Sequence, residues 1–277
     1  MEPWLEEAGA LGGVDTGKLA GLALRLLHNL SFDEAGRTEM ASAGAIPQAL
    51  ALLRSPAHRT GALGLLYHLS LERSHRPLFL AAPAAATAAL PSLLLAAGDL
   101  RTAPELAALA VNLSMDNQLA ADMAGGGALA ALLGKALAAR DPLALRITRN
   151  LAERCATADA VVAFAPAADA LADLLTDPTT DADVRVEALG LLAHAALPPL
   201  RWRPILARSG LPAWLVAALV PGGAADDIAL EAVMAGGALC TTDTAPLLAQ
   251  AGLGTALVAL LAERRADDEC ALRHAAM

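Results

Sequence analysis

The chain has 277 residues, of which 56% are hydrophobic but only 3% aromatic, and its formal net charge is −9. This alanine-rich composition indicates helices that pack through small side chains, because alanine is the best helix former. Up to Asn150, 12 Lys and Arg face 13 Asp and Glu, whereas from Leu151 onward 8 face 16. This acidic balance argues against nucleic-acid binding, because a phosphate-binding surface carries net or clustered positive charge.

The cysteines and the first residues indicate the compartment. Cys155, Cys240 and Cys270 lie far apart without CxxC spacing, and such a sparse, odd set is typical of a reducing compartment. The first ten residues, MEPWLEEAGA, are acidic and lack the apolar core of a secretory leader. We therefore expect a cytoplasmic protein.

A block of sequence, Gly21–Leu53, recurs along the chain in modified form. In it an amphipathic helix ends at Asn29-Leu30-Ser31, a polar segment follows, and a new apolar helix begins at Ile46-Pro47. We call the recurring site of Asn29 the ladder position. Its occupants are Asn29, His68, Asn112, Asn150, His194 and Ala238, at intervals of 39, 44, 38, 44 and 44 residues. This period is typical of armadillo and HEAT repeats.

Glycine and proline recur where one helix gives way to the next. Examples are Gly44 with Pro47, Gly210 with Pro212, and Gly252. Glycine accepts the positive φ that ends a helix, and proline suits the first helical turn because it lacks only an N–H that would be unbonded there. A tight corner between a short first helix and two longer ones favours armadillo over HEAT units.

The third helix of each unit has an apolar and a polar face. At 100° per residue, Ala23, Leu26, Leu27 and Leu30 share one arc, and we expect them in the core. Arg25, His28 and Asn29 fall on another arc. The fold predicted is therefore all-α, an armadillo-type right-handed superhelical solenoid of about six repeats. Residues 1–277 are predicted to form a single domain with incomplete repeats at both ends.

An uncharged stretch from Pro77 to Gly98 satisfies the length criterion for a membrane span with its 22 residues. Pro83 and Pro91 interrupt it, and much of it is alanine. A break followed by an apolar helix also recurs elsewhere as part of the repeat. We therefore predict a repeat segment and no membrane insertion.

The sequence contains no recognisable motif for catalysis or for binding a metal or phosphate. The histidines lie mainly at repeat-equivalent or loop positions, without HExxH or a Cys/His cluster of metal-ligand spacing. Gly125-Gly126-Gly127 lacks the GxxxxGK[ST] arrangement of a phosphate loop. The prediction is a protein that is not an enzyme and that has no cofactor, metal or small-molecule substrate.

The polar face provides the candidate partner-binding residues: Asn29, Asn112, Asn150, Arg25, Arg146, Arg149, His28 and His68. Two interpretations stay open. The asparagines could cap or bridge backbone groups between repeats, or they could bind the backbone of an extended peptide in a groove. The arginines could attract acidic side chains or lie solvated. The aspartates between Asp169 and Asp183 could likewise form a solvated edge or dock a basic coiled-coil segment.

Four blocks resemble the armadillo region of the kinesin-associated protein family, the non-motor subunit of heterotrimeric kinesin-II. They are Leu24–Leu53, Leu65–Leu71, Lys135–Asn150 and Pro221–Met234. The resemblance implies a scaffold that binds the tails of the kinesin-II motor subunits and links them to cargo adaptors. It also implies a location on microtubules, in the cilium or flagellum and at the basal body, and a role in intraflagellar transport. The alternative is a general armadillo scaffold for an unrelated partner.

Nuclear-import adaptors resembling importin alpha offer a contrast. They place a tryptophan one turn before each ladder asparagine. The residues four before the ladder positions here are Arg25, Gly64, Ala108, Arg146, Gly190 and Met234. Without tryptophan, and with arginines that repel a basic signal, nuclear-import cargo is not expected.

Overall fold

The computed structural model describes residues 16–81, 89–197, 199–220 and 224–263, and these contain helices and no strand. They divide into two compact units, one ending at Gly125 and the other beginning at Gly126. The predicted all-α class is confirmed. The predicted break at Pro83, the start of the Pro221–Met234 block, and Cys270 lie outside the described residues.

The first unit contains helices in the order expected of the repeat. It also contains two 3₁₀ turns, Arg73–His75 and Leu100–Thr102. The helices are α1 (Thr16–Leu30), α2 (Glu34–Ser42), α3 (Ala45–Leu52), α4 (Arg59–Ser70), α5 (Arg76–Leu80), α6 (Ala89–Ala96), α7 (Pro104–Ser114) and α8 (Asn117–Ala124). The third helices of successive repeats are α1, α4 and α7. In this unit α4 packs on α1 and α7 packs on α4.

The second unit continues the order, with α10, α12 and α15 as third helices. Its helices are α9 (Ala128–Ala139), α10 (Pro142–Arg154), α11 (Thr157–Thr176), α12 (Ala182–Ala195), α13 (Trp202–Arg208), α14 (Leu211–Leu219), α15 (Asp226–Leu239), α16 (Ala245–Ala251) and α17 (Leu253–Glu263). Here α12 packs on α10, and α15 packs on α12.

The corners follow the glycine pattern in part. Gly44 before α3 has φ 79°, and Gly252 between α16 and α17 has φ 95°. Both are left-handed conformations that glycine adopts without steric cost. Gly210 instead has φ −74°, so its corner does not require glycine. In the fifth repeat the first two helices are fused into α11, which runs for 20 residues with Pro166 inside it.

The prediction that Ala23, Leu26, Leu27 and Leu30 of α1 lie in the core is wrong, because Ala23, Leu26 and Leu30 are exposed and Leu27 is only half-buried. Leu26 is 61% exposed and Leu30 is 52% exposed, while Leu24 is buried. The residues equivalent to Leu26 and Leu30 are buried in all later repeats: Leu65, Leu109, Ile147, Leu191 and Ala235, and Leu69, Leu113, Leu151, Ala195 and Leu239. This face is buried where the helix stacks on the third helix of the preceding repeat. Within the described residues, no third helix precedes α1.

Among the described helices, none alone is long and apolar enough to cross a membrane. Together α16 and α17, which are bent by 62° with respect to each other, reach that length and composition.

Candidate partner-binding surface

Two ladder side chains in the first unit bind a buried serine of the preceding repeat. Ser31 Oγ lies 2.6 Å from His68 Nδ1, and Asn112 Nδ2 donates to Ser70 Oγ at 2.9 Å. Both serines are fully buried, and each donates its own proton to a backbone carbonyl at 2.6 Å. A hydroxyl has one proton to donate, so His68 Nδ1 must carry the proton shared with Ser31. These bonds join α1, α4 and α7 in the same register.

Three aromatic rings lie beside the first of these bonds. The His28 and His68 rings stack with centroids 4.7 Å apart, and Phe32 meets both edge-on at 5.3 and 4.6 Å. Phe32 is nevertheless 68% exposed. Arg37 donates to the carbonyls of Ser31 and Phe32 and forms an ion pair with Glu72. The cluster therefore joins the ends of α1 and α4 while leaving one aromatic face in water.

Burial lowers the pKa of His68 from its ordinary value of 6.5, and the neighbouring His28 and Arg37 lower it further. The unfolded chain then binds more protons than the folded chain at pH values near and below 6.5, so stability falls as the pH falls. We expect His68→Asn to reduce this loss between about pH 7.5 and 5.5, since asparagine at Asn112 makes the same serine bond. Urea unfolding at both pH values measures it.

The control for this pH prediction is His194. Burial also lowers the pKa of His194 and is the largest of the several causes of that shift. Part of the pH dependence of stability therefore remains in the His68 variant. His194→Asn should remove that part independently. An unchanged pH dependence in His68→Asn would contradict the structural account of the stacked rings.

Glycines four residues before the ladder receive side chains from the preceding repeat. A Cβ atom at Gly64 would lie 3.2 Å from the His28 ring, and one at Gly190 would overlap the Arg149 guanidinium. His28 and Arg149 each stand one residue before a ladder asparagine. Importin-like adaptors carry tryptophan at these positions. Here Gly64 and Gly190 leave the space that the His28 and Arg149 side chains occupy.

The arginines of the second unit are paired with glutamates. Arg146 Nε donates to Glu187 Oε1 at 2.7 Å, and the Glu187 side chain is only 5% exposed. Arg149 lies 3.8 Å from the other Glu187 oxygen and 2.7 Å from Glu231. This network joins α10, α12 and α15. The charges predicted to attract an acidic partner are thus used in part to hold the repeats together.

Gly190→Ala is expected to lower the free energy of unfolding by about 1–2 kcal/mol, because the methyl group displaces the Arg149 guanidinium from its glutamates. In an Arg149→Ala background the same change should raise stability by about 1 kcal/mol, the usual gain of alanine over glycine in a helix. Urea unfolding of the four proteins measures both signs. Equal effects in the two backgrounds would show that Arg149 does not lie over Gly190.

The structure brings the predicted residues into two groups, one in each unit. His28 and His68 stack in the first unit, with Asn112 bonded one repeat further on; Arg25 and Asn29 are exposed on α1. Arg146 and Arg149 share Glu187 in the second unit, where Asn150 is half-buried. The sequence interpretation missed Ser31, Ser70, Glu187 and Glu231. The recurrence of serine two residues after the ladder was the available signal.

Two carboxylates of the acidic stretch have arginine partners. Arg208 pairs with Asp169, and Arg140 Nη2 lies 2.6 Å from Asp177. Hydrogen bonds from Thr179, followed by that from Arg140, lower the pKa of Asp177 to about 2. Among the described residues no group of three His, Cys, Asp or Glu side chains could hold a metal ion.

The solved structures with a similar fold include an engineered protein and designed armadillo repeat proteins. An engineered protein matches with a TM-score of 0.66 and 21% identity over 84% of this chain, which spans 57% of that protein. A designed armadillo repeat protein in complex with the peptide (KR)4 matches with a TM-score of 0.62 and 20% identity, over 83% and 96% of the two chains. Armadillo repeat proteins designed for modular peptide recognition match at 0.60 and 20%, over 78% and 91%.

The fold is therefore an armadillo-type α-solenoid, as predicted from the period. The model of the kinesin-associated protein family matches residues 9–275. The chain belongs to the kinesin-associated protein family, and the family resemblance found in the sequence is confirmed.

Proposed function

We propose that this chain is a non-catalytic adaptor subunit of heterotrimeric kinesin-II. It binds the tails of the motor subunits and links them to cargo adaptors, in microtubule-based and intraflagellar transport. The observation that carries the proposal is the family match over residues 9–275. The armadillo fold supports it, because stacked repeats present an extended surface for protein partners. Its place would be the cytoplasm, on microtubules, in the cilium or flagellum and at the basal body.

The geometry suggests two roles for the predicted binding residues. The exposed Arg25 and Asn29 can meet a partner directly. Arg146 is also exposed but pairs with Glu187 of the next repeat, so it belongs with the residues that contact that repeat. His28, His68, Asn112 and Arg149 contact the neighbouring repeat, so they act by fixing its register. Asn150, half-buried on α10, occupies a ladder position of the second unit. Substitutions in the first set should weaken binding at unchanged stability, and those in the second should also lower stability.

A pull-down with the paired C-terminal tails of the two motor subunits tests the proposal. The chain should be retained by the paired tails and not by the motor coiled coil without its tails. Retention by neither would overturn the adaptor function.

The alternative, a general armadillo scaffold for an unrelated partner, is favoured by the peptide-bound designed protein among the structural neighbours. Purification of the chain from ciliated cells separates the two proposals. Motor subunits in the purified complex support the kinesin adaptor, and a stable complex without them supports the general scaffold.

A further inference from the structure

A row of exposed apolar side chains runs across the first unit. Phe32, Leu71 and Met115 are 68%, 46% and 46% exposed. Each stands three residues after a ladder position, just after the end of α1, α4 or α7. Because the bonds from Ser31 to His68 and from Asn112 to Ser70 hold these helices in one register, the three side chains occupy equivalent positions at the same end of successive third helices. We call Phe32, Leu71 and Met115 the apolar row.

A carboxylate follows every member of the apolar row. Asp33 and Asp116 accept backbone N–H bonds at the starts of α2 and α8, and Glu72 pairs with Arg37. With Glu34 and Arg73, which are both exposed, this edge has four carboxylates against two guanidinium groups. An occupant of complementary charge is therefore basic.

The distance between neighbouring members of the apolar row determines which backbone conformation of a bound segment can match it. Packed helices lie about 8–10 Å apart. A polyproline II segment has three residues per turn and rises about 9.3 Å per turn, so every third side chain meets the next helix on the same side. A β-strand places side chains on one face about 6.6 Å apart, too close for this row.

An α-helix presents a face every seven residues, about 10.5 Å, and this spacing also approaches that of the row. However, helix packing engages several neighbouring rows of side chains. At α4 and α7 the apolar row is one residue wide, because Leu71 and Met115 each lie between a carboxylate and a half-buried polar side chain of the ladder. Its width favours a slender extended chain over a helix.

We propose that the apolar row binds a basic, polyproline II segment of a partner protein with an apolar residue at every third position. This inference deepens the proposed adaptor function and rests on it, because it names the surface and the chemistry of a bound motor tail. The apolar side chains of the segment would pack between Phe32, Leu71 and Met115, and its basic side chains would face the carboxylates.

Fluorescence anisotropy with a labelled twelve-residue peptide, four repeats of Leu-Lys-Pro, provides the test. We expect it to bind about tenfold or more tightly than an isomer with its leucines adjacent, and than a Leu-Glu-Pro version. The triple variant F32S/L71S/M115S should lose about tenfold in affinity for the first peptide. The matched control, L22S/L78S/L95S, changes three other exposed apolar residues of the same unit and should bind normally.

Equal affinity for the spaced peptide and its isomer would overturn the inference, as would tighter binding of a heptad-spaced helical peptide. Equal loss in the row and control variants would also overturn it. The paired motor tails are then tested on both triple variants. Tails that bind the row variant as well as the unchanged chain contradict the inference but leave the adaptor function standing. Tails that fail to bind the unchanged chain contradict the adaptor function itself.

Discussion

Leu69→Asp should lower the free energy of unfolding by about 4 kcal/mol or more, because it places a carboxyl group at a fully buried site between repeats. Leu30→Asp, at the equivalent site of α1, should cost no more than about 1 kcal/mol, since Leu30 is 52% exposed. Urea unfolding followed by far-ultraviolet circular dichroism measures both. The two substitutions are chemically identical, so their difference isolates the burial supplied by the neighbouring repeat.

Leu69→Asn and Leu30→Asn provide the control for charge, because asparagine brings polarity without a carboxylate. Leu69→Asn should again lower the free energy of unfolding more than Leu30→Asn does, and both losses should be smaller than those of the Asp variants. Similar losses for Leu30→Asp and Leu69→Asp would mean that the outer face of α1 is buried in solution, contrary to the structure.

Glu187→Ala is expected to lower the free energy of unfolding by about 2–4 kcal/mol. The Glu187 side chain is 5% exposed and pairs with Arg146, so its removal leaves Arg146 and the nearby Arg149 without this partner on α12. Glu187→Gln keeps an acceptor for Arg146 but loses the charge, and it should cost about half as much. Urea unfolding measures the series.

Glu153→Ala is the matched control for Glu187. Glu153 also pairs with an arginine, Arg154, but its side chain is 47% exposed. Exposed pairs contribute little, so a change within about 0.5 kcal/mol is expected. A Glu187 variant as mild as the Glu153 variant would show that the network contributes no more than a surface pair.

The repeat period could be predicted because it depends on local chemistry. The ladder residue and the serine two residues after it recur as one short motif, and the glycines at corners such as Gly44 and Gly252 adopt a backbone conformation that depends on their own φ. The fused helix α11 departs from the pattern because Ala165-Pro166-Ala167 contains no glycine to adopt the left-handed corner. Proline inside a helix costs a hydrogen bond but does not by itself form a corner.

The errors concern relations between repeats. The pattern predicted Leu26 and Leu30 in the core, but they are exposed because burial of this face requires a neighbouring helix, which periodicity does not show. Glu187 and Glu231 lie 38 and 82 residues after Arg149 in the chain, so no local pattern showed that they would surround it. In the sequence, Gly64 and Gly190 indicate only that tryptophan is absent from these positions. In the structure, each glycine leaves space for a specific side chain of the preceding repeat.

This architecture separates two properties of a binding surface. Polar ladder side chains in the first unit and the ion-pair network in the second join successive third helices, while neighbouring side chains stay exposed. From composition alone, the positive charges of these arginines would be expected to bind a ligand. In the structure, Arg146 and Arg149 meet glutamates of later repeats first, so binding chemistry must be sought beside the ladder as well as on it.

The most direct test of the adaptor account is the mass of the complex formed with the paired motor tails. The chain is mixed with both tails at micromolar concentration, and the mixture is analysed by size-exclusion chromatography with light scattering. The account predicts a single species containing one copy of the chain and one of each tail. Separate elution of the chain and the tails, at masses unchanged from those of the isolated components, would contradict it.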